Sequence, residues 1–245
     1  MILNKFRSGL VIALSLPLLI FSLFSCNKTA NSNTHQSFIA FSHVAYGVGA
    51  LNLSLRGKTL QSTPISLGQT SGMQGNPYDT ATTTGIQDLN VYLQQDLSSL
   101  ANGNVFFQQG ARYSMFLYDS LFNGRLLLII FQDNQTGGVD SNAFVRYLNF
   151  SPHTNLLLKL TNKKDTVLIG PEVFVGDNPV PSNSKYFFTT LVSGNYGAYV
   201  SDSTHFKQVD SLRIDSTKIY NVYLQGFIDS TSGPDSLALK SIRLN

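Results

Sequence analysis

The chain is predicted to be all-β, two tandem immunoglobulin-like β-sandwich domains behind an apolar leader and a flexible tether. Two observations carry this. Short runs alternate apolar and polar residues, the period of a half-buried strand, with turn residues between them. The same runs then return about 106 positions later. The expected division is residues 1–25 leader, 26–36 tether, 37–137 first sandwich and 138–245 second sandwich.

The leader comes first. Lys5 and Arg7 form a short basic start, and residues 10–24 are nearly all apolar, with Pro17 inside. Such a run is short for a spanning helix of about 20 residues, and its flanks are those of a secretory signal. It ends in Leu23-Phe24-Ser25-Cys26, which contains the single cysteine of the chain. These four residues resemble the bacterial lipoprotein signal, with a large apolar residue three places before the cysteine and a small one just before it. Phe24 is bulkier than that pattern prefers. The resemblance implies cleavage before Cys26 and a thioether-linked diacylglycerol on its sulfur, usually with an acylated amine. Several acyl chains, at about 0.8 kcal/mol per buried methylene, hold a protein firmly at a membrane. The expected location is the cell envelope, at the outer membrane, with either face open.

Residues 27–36 are polar and lack long apolar side chains, as a disordered spacer would. With Cys26 lipidated, no thiol remains for a disulfide or a thiolate metal site. The formal charge of +3 falls to +1 once Lys5 and Arg7 leave, which gives no electrostatic case for a nucleic-acid partner.

Strands follow. Leu51, Leu53 and Leu55 alternate with Asn52, Ser54 and Arg56; Tyr113, Met115 and Leu117 alternate likewise, as do Tyr220, Val222 and Leu224. Residues 126–131 are continuously apolar, which suits a central strand. Turn chemistry separates such runs at Arg56-Gly57-Lys58, Thr136-Gly137-Gly138, Gly176-Asp177-Asn178 and Ser232-Gly233-Pro234. Residues 88–100 stay open: Leu89, Leu93 and Leu97 recur every four positions, as on a helix, while Val91-Tyr92 suits a strand.

The repeat is specific. Phe38-Ile39-Ala40-Phe41-Ser42-His43 matches Phe144-Val145-Arg146-Tyr147-Leu148-Asn149 at offset 106. Leu51/Leu53/Leu55 match Leu156/Leu158/Leu160 at offset 105, and residues 113–117 match residues 220–224 at offset 107. Three strands in one order at nearly constant spacing point to duplication of one domain. Each half, about 100 residues, has the size of an immunoglobulin-like sandwich of about seven strands. The openings at residues 38–55 and 144–160 resemble the domain of unknown function 4397 family of secreted and lipid-anchored bacterial proteins. In its repeats an apolar strand is followed by His or Asn, a Ser-Pro-type turn and an alternating strand. Asn149-Phe150-Ser151-Pro152 keeps that pattern, whereas the first copy keeps His43 but has Ala45-Tyr46 in place of Ser-Pro. The resemblance implies tandem sandwiches on an exported protein and no established activity.

Chemistry-bearing motifs are sparse. His35, His43, His153 and His205 show no metal-ligand spacing and no nucleophile motif. His43 is expected to be a turn residue bonded through its ring. Glu172 is the single glutamate, and most aspartates precede Ser or Thr. No cofactor, metal or catalytic residue is expected, and a hydrolase ranks below a binding protein. Asp followed by Ser or Thr and then commonly a small or aliphatic residue recurs with Thr80, Ser120, Thr166, Ser203, Ser211, Ser216, Ser230 and Ser236. These resemble acceptor sites of general O-glycosylation in a Gram-negative phylum rich in glycan degraders, and they read equally as Asx-turns. The expected function is non-enzymatic: a lipid-anchored envelope protein presenting loops to a glycan or an envelope protein. The segment 68–85 is the first candidate surface and 176–184 a weaker one. The alternative is a carbohydrate-binding accessory of a glycan-uptake system. Trp is absent, so Tyr46, Tyr78, Tyr196 and Tyr199 are the candidate stacking residues.

Overall fold

The computed structural model describes residues 36–72, 77–78, 80–120, 125–133, 140–152, 155–172, 188–201, 206–227 and 236–245. Cys26, the leader and the tether before residue 36 lie outside them. The expected boundary at residues 137/138 does too, as does the weaker candidate surface at 176–184. Every regular element in the described residues is a strand.

The first eight are β1 (Gln36–His43), β2 (Leu51–Leu55), β3 (Lys58–Thr59), β4 (Thr80–Thr83), β5 (Gly85–Leu93), β6 (Ser99–Phe107), β7 (Arg112–Ser120) and β8 (Arg125–Gln132). The next eight are β9 (Asn142–Asn149), β10 (Leu156–Thr161), β11 (Thr166–Glu172), β12 (Phe188–Val192), β13 (Gly194–Ser201), β14 (Phe206–Ile214), β15 (Ile219–Gln225) and β16 (Ala238–Arg243). The sheets run β3-β2-β5-β6 and β4-β1-β7-β8 in the first half, β12-β9-β15-β16 and β11-β10-β13-β14 in the second. Each strand of the second half thus takes the place of the strand eight earlier.

Register repeats as well as order. Phe38 stands opposite Arg112 in the parallel pair β1–β7, and Phe144 opposite Ile219 in the parallel pair β9–β15. Gly85 faces Phe107 as Gly194 faces Ile214. Phe38/Phe144, Arg112/Ile219 and Phe107/Ile214 keep the offsets of 106 and 107 that the sequence carries, and Gly85/Gly194 stand 109 apart.

In immunoglobulin terms, β3-β2-β5-β6 corresponds to strands C′-C-F-G, and the antiparallel pair β1–β4 to B and E. The place beside B belongs to the first strand in an immunoglobulin domain. Here β7 fills it, parallel to β1. A parallel neighbour needs a crossover connection, and β2 to β6 supply it.

Side-chain alternation puts every inner sheet between two cores. Ile39 and Phe41 of β1, with Tyr113, Met115 and Leu117 of β7, pack toward Leu51, Leu53 and Leu89 of the outer sheet. In the second half Val145 takes the place of Ile39 and packs with Tyr220, Val222, Leu158 and Val200 in the matching outer core. A third core lies between the two inner sheets and joins Phe116, Tyr118, Ile129 and Phe131 to Phe150, Tyr223, Ile242 and Leu244. Residues 35–245 therefore form one unit, and the two sandwiches share an interior. Equivalent residues meet across it. Asn221 donates to Ser114 at 2.7 Å, and Phe116 meets the Tyr223 ring edge-on with centroids 5.5 Å apart. Both pairs are related by the repeat offset of 107, the signature of a two-fold relation between halves.

The continuous apolar run at residues 126–131 predicts a central strand. β8 is instead an edge of its sheet. Its composition has another cause: Leu127, Ile129 and Phe131 face the shared core, and Leu126, Leu128 and Ile130 the first-half core. Residues 88–100 are strand, turn, strand. Leu89 and Leu93 point inward on β5, while Leu97 sits exposed in the turn at φ 60°. Part of the segment 68–85, expected as one loop, is β4, paired with β1.

Candidate functional site

A cleft of about 510 Å³ opens where the candidate segment after β3 meets the second half. That volume lies within the range of small-molecule sites. Gly68, Thr70, Ser71, Gly72 and Pro77 form one wall. The other wall is Arg213 at the end of β14, Asp215 just beyond it, and Lys240 and Arg243 on β16. Tyr220 and Tyr223 of β15 also line it. The Tyr220 hydroxyl accepts the Asp215 N–H at 3.0 Å, fixing where β14 ends. Burial, opposed in part by that hydrogen bond, raises the Tyr220 pKa. Tyr223 is fully buried, and its hydroxyl bonds Thr70, which also meets Ser42 at 2.8 Å. The first-half wall is thereby tied to both halves. The Asp215 carboxylate takes Arg213 Nε at 2.9 Å and lies 3.9 Å from Arg243 Nη1.

A closed polar ring lies in the shared core. Arg146 of β9 donates through Nη2 to Asp133, just after β8, and through Nε to Asn221 Oδ1 at 2.8 Å. Asn221 donates to Ser114, and Ser114 donates to Asp133 Oδ2 at 2.6 Å. Tyr78 adds a third donor to that carboxylate at 2.7 Å. The Arg146 and Asp133 side chains are only 3% and 4% exposed. The guanidinium lies 4.6 Å from the Phe131 ring centre and 4.8 Å from that of Phe188. Burial lowers the Arg146 pKa and the Asp133 charge opposes that; burial and then the same charge raise the Tyr78 phenol. Among the described residues no group of three or more His, Cys, Asp or Glu is placed to hold a metal.

No family model matches the chain, and no curated protein matches it significantly. Its own geometry must therefore carry the functional reading.

Of the four candidate stacking tyrosines, three are inside. Tyr46 is fully buried against Phe227, Tyr78 belongs to the polar ring, and the Tyr196 hydroxyl donates to Val192 O at 2.7 Å from a buried position. Each is consumed by packing or an internal hydrogen bond, so none presents a free ring face. Tyr199 is half-buried on the outer sheet, with Lys159 Nζ 5.3 Å from its ring centre. Among the candidate glycosylation positions, Thr166, Ser211 and Ser216 are exposed and Ser236 is half-buried. Ser211 lies within β14 rather than in a turn, and the Asp210 and Asp165 carboxylates each accept the next residue's N–H, at 2.7 and 2.8 Å. The side chains of Thr80 and Ser120 lie outside the described set, as do Ser203, Ser230 and Cys26.

His43 is the last residue of β1, and its ring holds the turn that follows. Nδ1 accepts the Ala45 N–H at 3.3 Å and Nε2 donates to Gly49 O at 3.2 Å. Asn149 does the same work in the second half, its Oδ1 accepting the Ser151 N–H at 3.0 Å. Burial pushes the His43 pKa from 6.5 down to about 4, against the pull of the Gly49 and Val48 backbone. Below pH 6.5 the unfolded chain takes up a proton that the folded chain refuses until about pH 4. Stability is therefore full above that window and drains as pH falls through it, by up to about 3 kcal/mol. His43→Asn should keep the turn and remove this dependence. Urea unfolding at about pH 7.5 and about pH 4.5 checks it; an equal acid loss in the variant would refute it.

Proposed function

We propose that this chain is a non-enzymatic, lipid-anchored protein of the cell envelope that uses its paired β-sandwiches to bind a ligand. The observation that carries the anchoring is the single cysteine, placed where a lipoprotein leader would be cut. Support for binding comes from the cleft, built on strands tied together from both halves. Rigid sheets hold such a site at constant geometry. A glycan or an envelope protein is the expected partner, with the membrane held through Cys26; the small net charge gives no case for nucleic acid.

The test is mass spectrometry of protein from the native membrane fraction. The expected product starts at Cys26 and carries diacylglycerol, while Cys26→Ser is recovered in the soluble or unprocessed fraction. A product retaining residues 1–25 with a bare thiol would sink the anchoring. Hexose-sized mass additions, mapped to Thr166, Ser211 or Ser216, would decide glycosylation in the same spectra.

A glycan-uptake accessory is the second reading, favoured by Tyr199 beside Phe206, which is 42% exposed on the same outer sheet. The Lys159 ammonium lies 4.6 Å from the Phe206 ring centre as well as over Tyr199. Binding of a neutral polysaccharide that Tyr199→Ala abolishes would establish this reading.

A further inference from the structure

The two halves share a scaffold, so each position has a built-in control. The register places Phe106, Gln108, Ile129 and Gln132 of the first half where the second has Arg213, Asp215, Lys240 and Arg243. The supporting geometry is unchanged: Gln108 N–H donates to the Tyr113 hydroxyl at 2.8 Å, as Asp215 N–H donates to Tyr220. In the first half the end is neutral and self-contained, with Gln132 donating to Gln108 at 2.8 Å. In the second, all four positions are charged, and they line the cleft.

Among the described lining residues, three cations against one carboxylate leave an excess of two positive charges. Asp215 occupies only part of their donor capacity. Arg213 Nε faces it directly, Arg243 Nη1 is 3.9 Å away, and Lys240 is exposed on the face of β16 that it shares with Ile242. Among the described residues Arg243 Nε is buried without a hydrogen-bond partner, although buried guanidinium N–H groups ordinarily have one. Folding does not require the charges, because the first half closes the same end without them. What forked guanidiniums and an ammonium in a concave site do well is hold a compact oxyanion.

We propose that this cleft binds a carboxylate or phosphate group carried by an acidic glycan, with Lys240 and Arg243 as the principal contacts. The proposal deepens the binding reading above and rests on it. The full chain, purified in neutral detergent, is titrated calorimetrically with trigalacturonate, inorganic phosphate and maltotriose. The expected result is binding of at least one anionic probe, none of maltotriose, and at least about a tenfold loss in Lys240→Gln/Arg243→Gln. Gln already occupies the Arg243 place in the first half, and thermal unfolding confirms that the variant is folded. Lys58→Gln/Lys163→Gln removes the same charge elsewhere and should keep the affinity. Binding of phosphate alone identifies a phosphoryl group, and of trigalacturonate alone a carboxylate; both support the site. Undiminished binding in the cleft variant, an equal loss in the control, or no anion bound would overturn it. Maltotriose binding equally to wild type and cleft variant would overturn the cleft and leave the broader binding reading standing.

Discussion

Asp133→Ala should cost about 3–5 kcal/mol of stability, because it strands a buried cation. Asp133 is the acceptor hub of the polar ring, taking Arg146, Ser114 and Tyr78 at once. Without it, Arg146 keeps one acceptor among the described residues, Asn221, in a side-chain environment only 3% exposed. The flanking Phe131 and Phe188 rings offer a cation their faces but no lone pair. Removing both charges is a different experiment. Arg146→Met with Asp133→Ala should lose much less than the sum of the two single changes, since an apolar replacement leaves no stranded charge. Urea unfolding of all four proteins measures the coupling. A single-variant loss under about 1 kcal/mol would mean that the ring contributes little to joining the halves.

Gly226→Ala is expected to be comparably severe. Gly226 has φ +100°, and a Cβ there would lie 2.2 Å from Ser236 O, 2.6 Å from Ser236 C and 2.9 Å from Leu237 Cα. All three are backbone atoms leading into β16, so no side chain can swing aside. Relief requires moving the β15–β16 connection, where Phe227 bridges Ser236 and packs on Tyr46. A loss of about 3 kcal/mol or more follows. Gly57→Ala isolates the clash from the conformational cost. Gly57 has φ +73° with nothing within 4 Å of its added Cβ, and about 1–2 kcal/mol is expected there. Equal melting shifts for the two variants would refute the backbone-contact explanation.

The strands and their repetition are legible because the inner strands carry apolar residues on both faces, which leaves a dense pattern to match. β1 and β9 illustrate this with residues 38–43 and 144–149. The leucines at 89, 93 and 97 mislead because period four mimics a helix, although the third of them occupies a turn. Arg146 is a visible signal of the polar ring: a cation amid apolar neighbours, at the place where the first half has Ala40. Its partner Asp133 sits at the start of a turn-like stretch, where an aspartate has a sufficient local explanation. The cleft has no motif to find. Arg213, Asp215, Lys240 and Arg243 are spread over two strands and a turn, and the packing of β14 and β16 around β15 brings them together. Tyr46, Tyr78 and Tyr196 lie inside for a plain reason: a phenol is equally at home buried or exposed when its hydroxyl finds a partner.

The two-fold relation between the halves has a consequence for how this interior can change. In a dimer of identical chains, every substitution at the contact appears on both sides, so an arginine would face its own copy. Here the mates are fused, and each can drift alone. Arg146 stands where the other half has Ala40, and Asn221 where it has Ser114. A donor can thus sit on one side and its carboxylate on the other, so this interior has the chemistry of a heteromer inside one polypeptide.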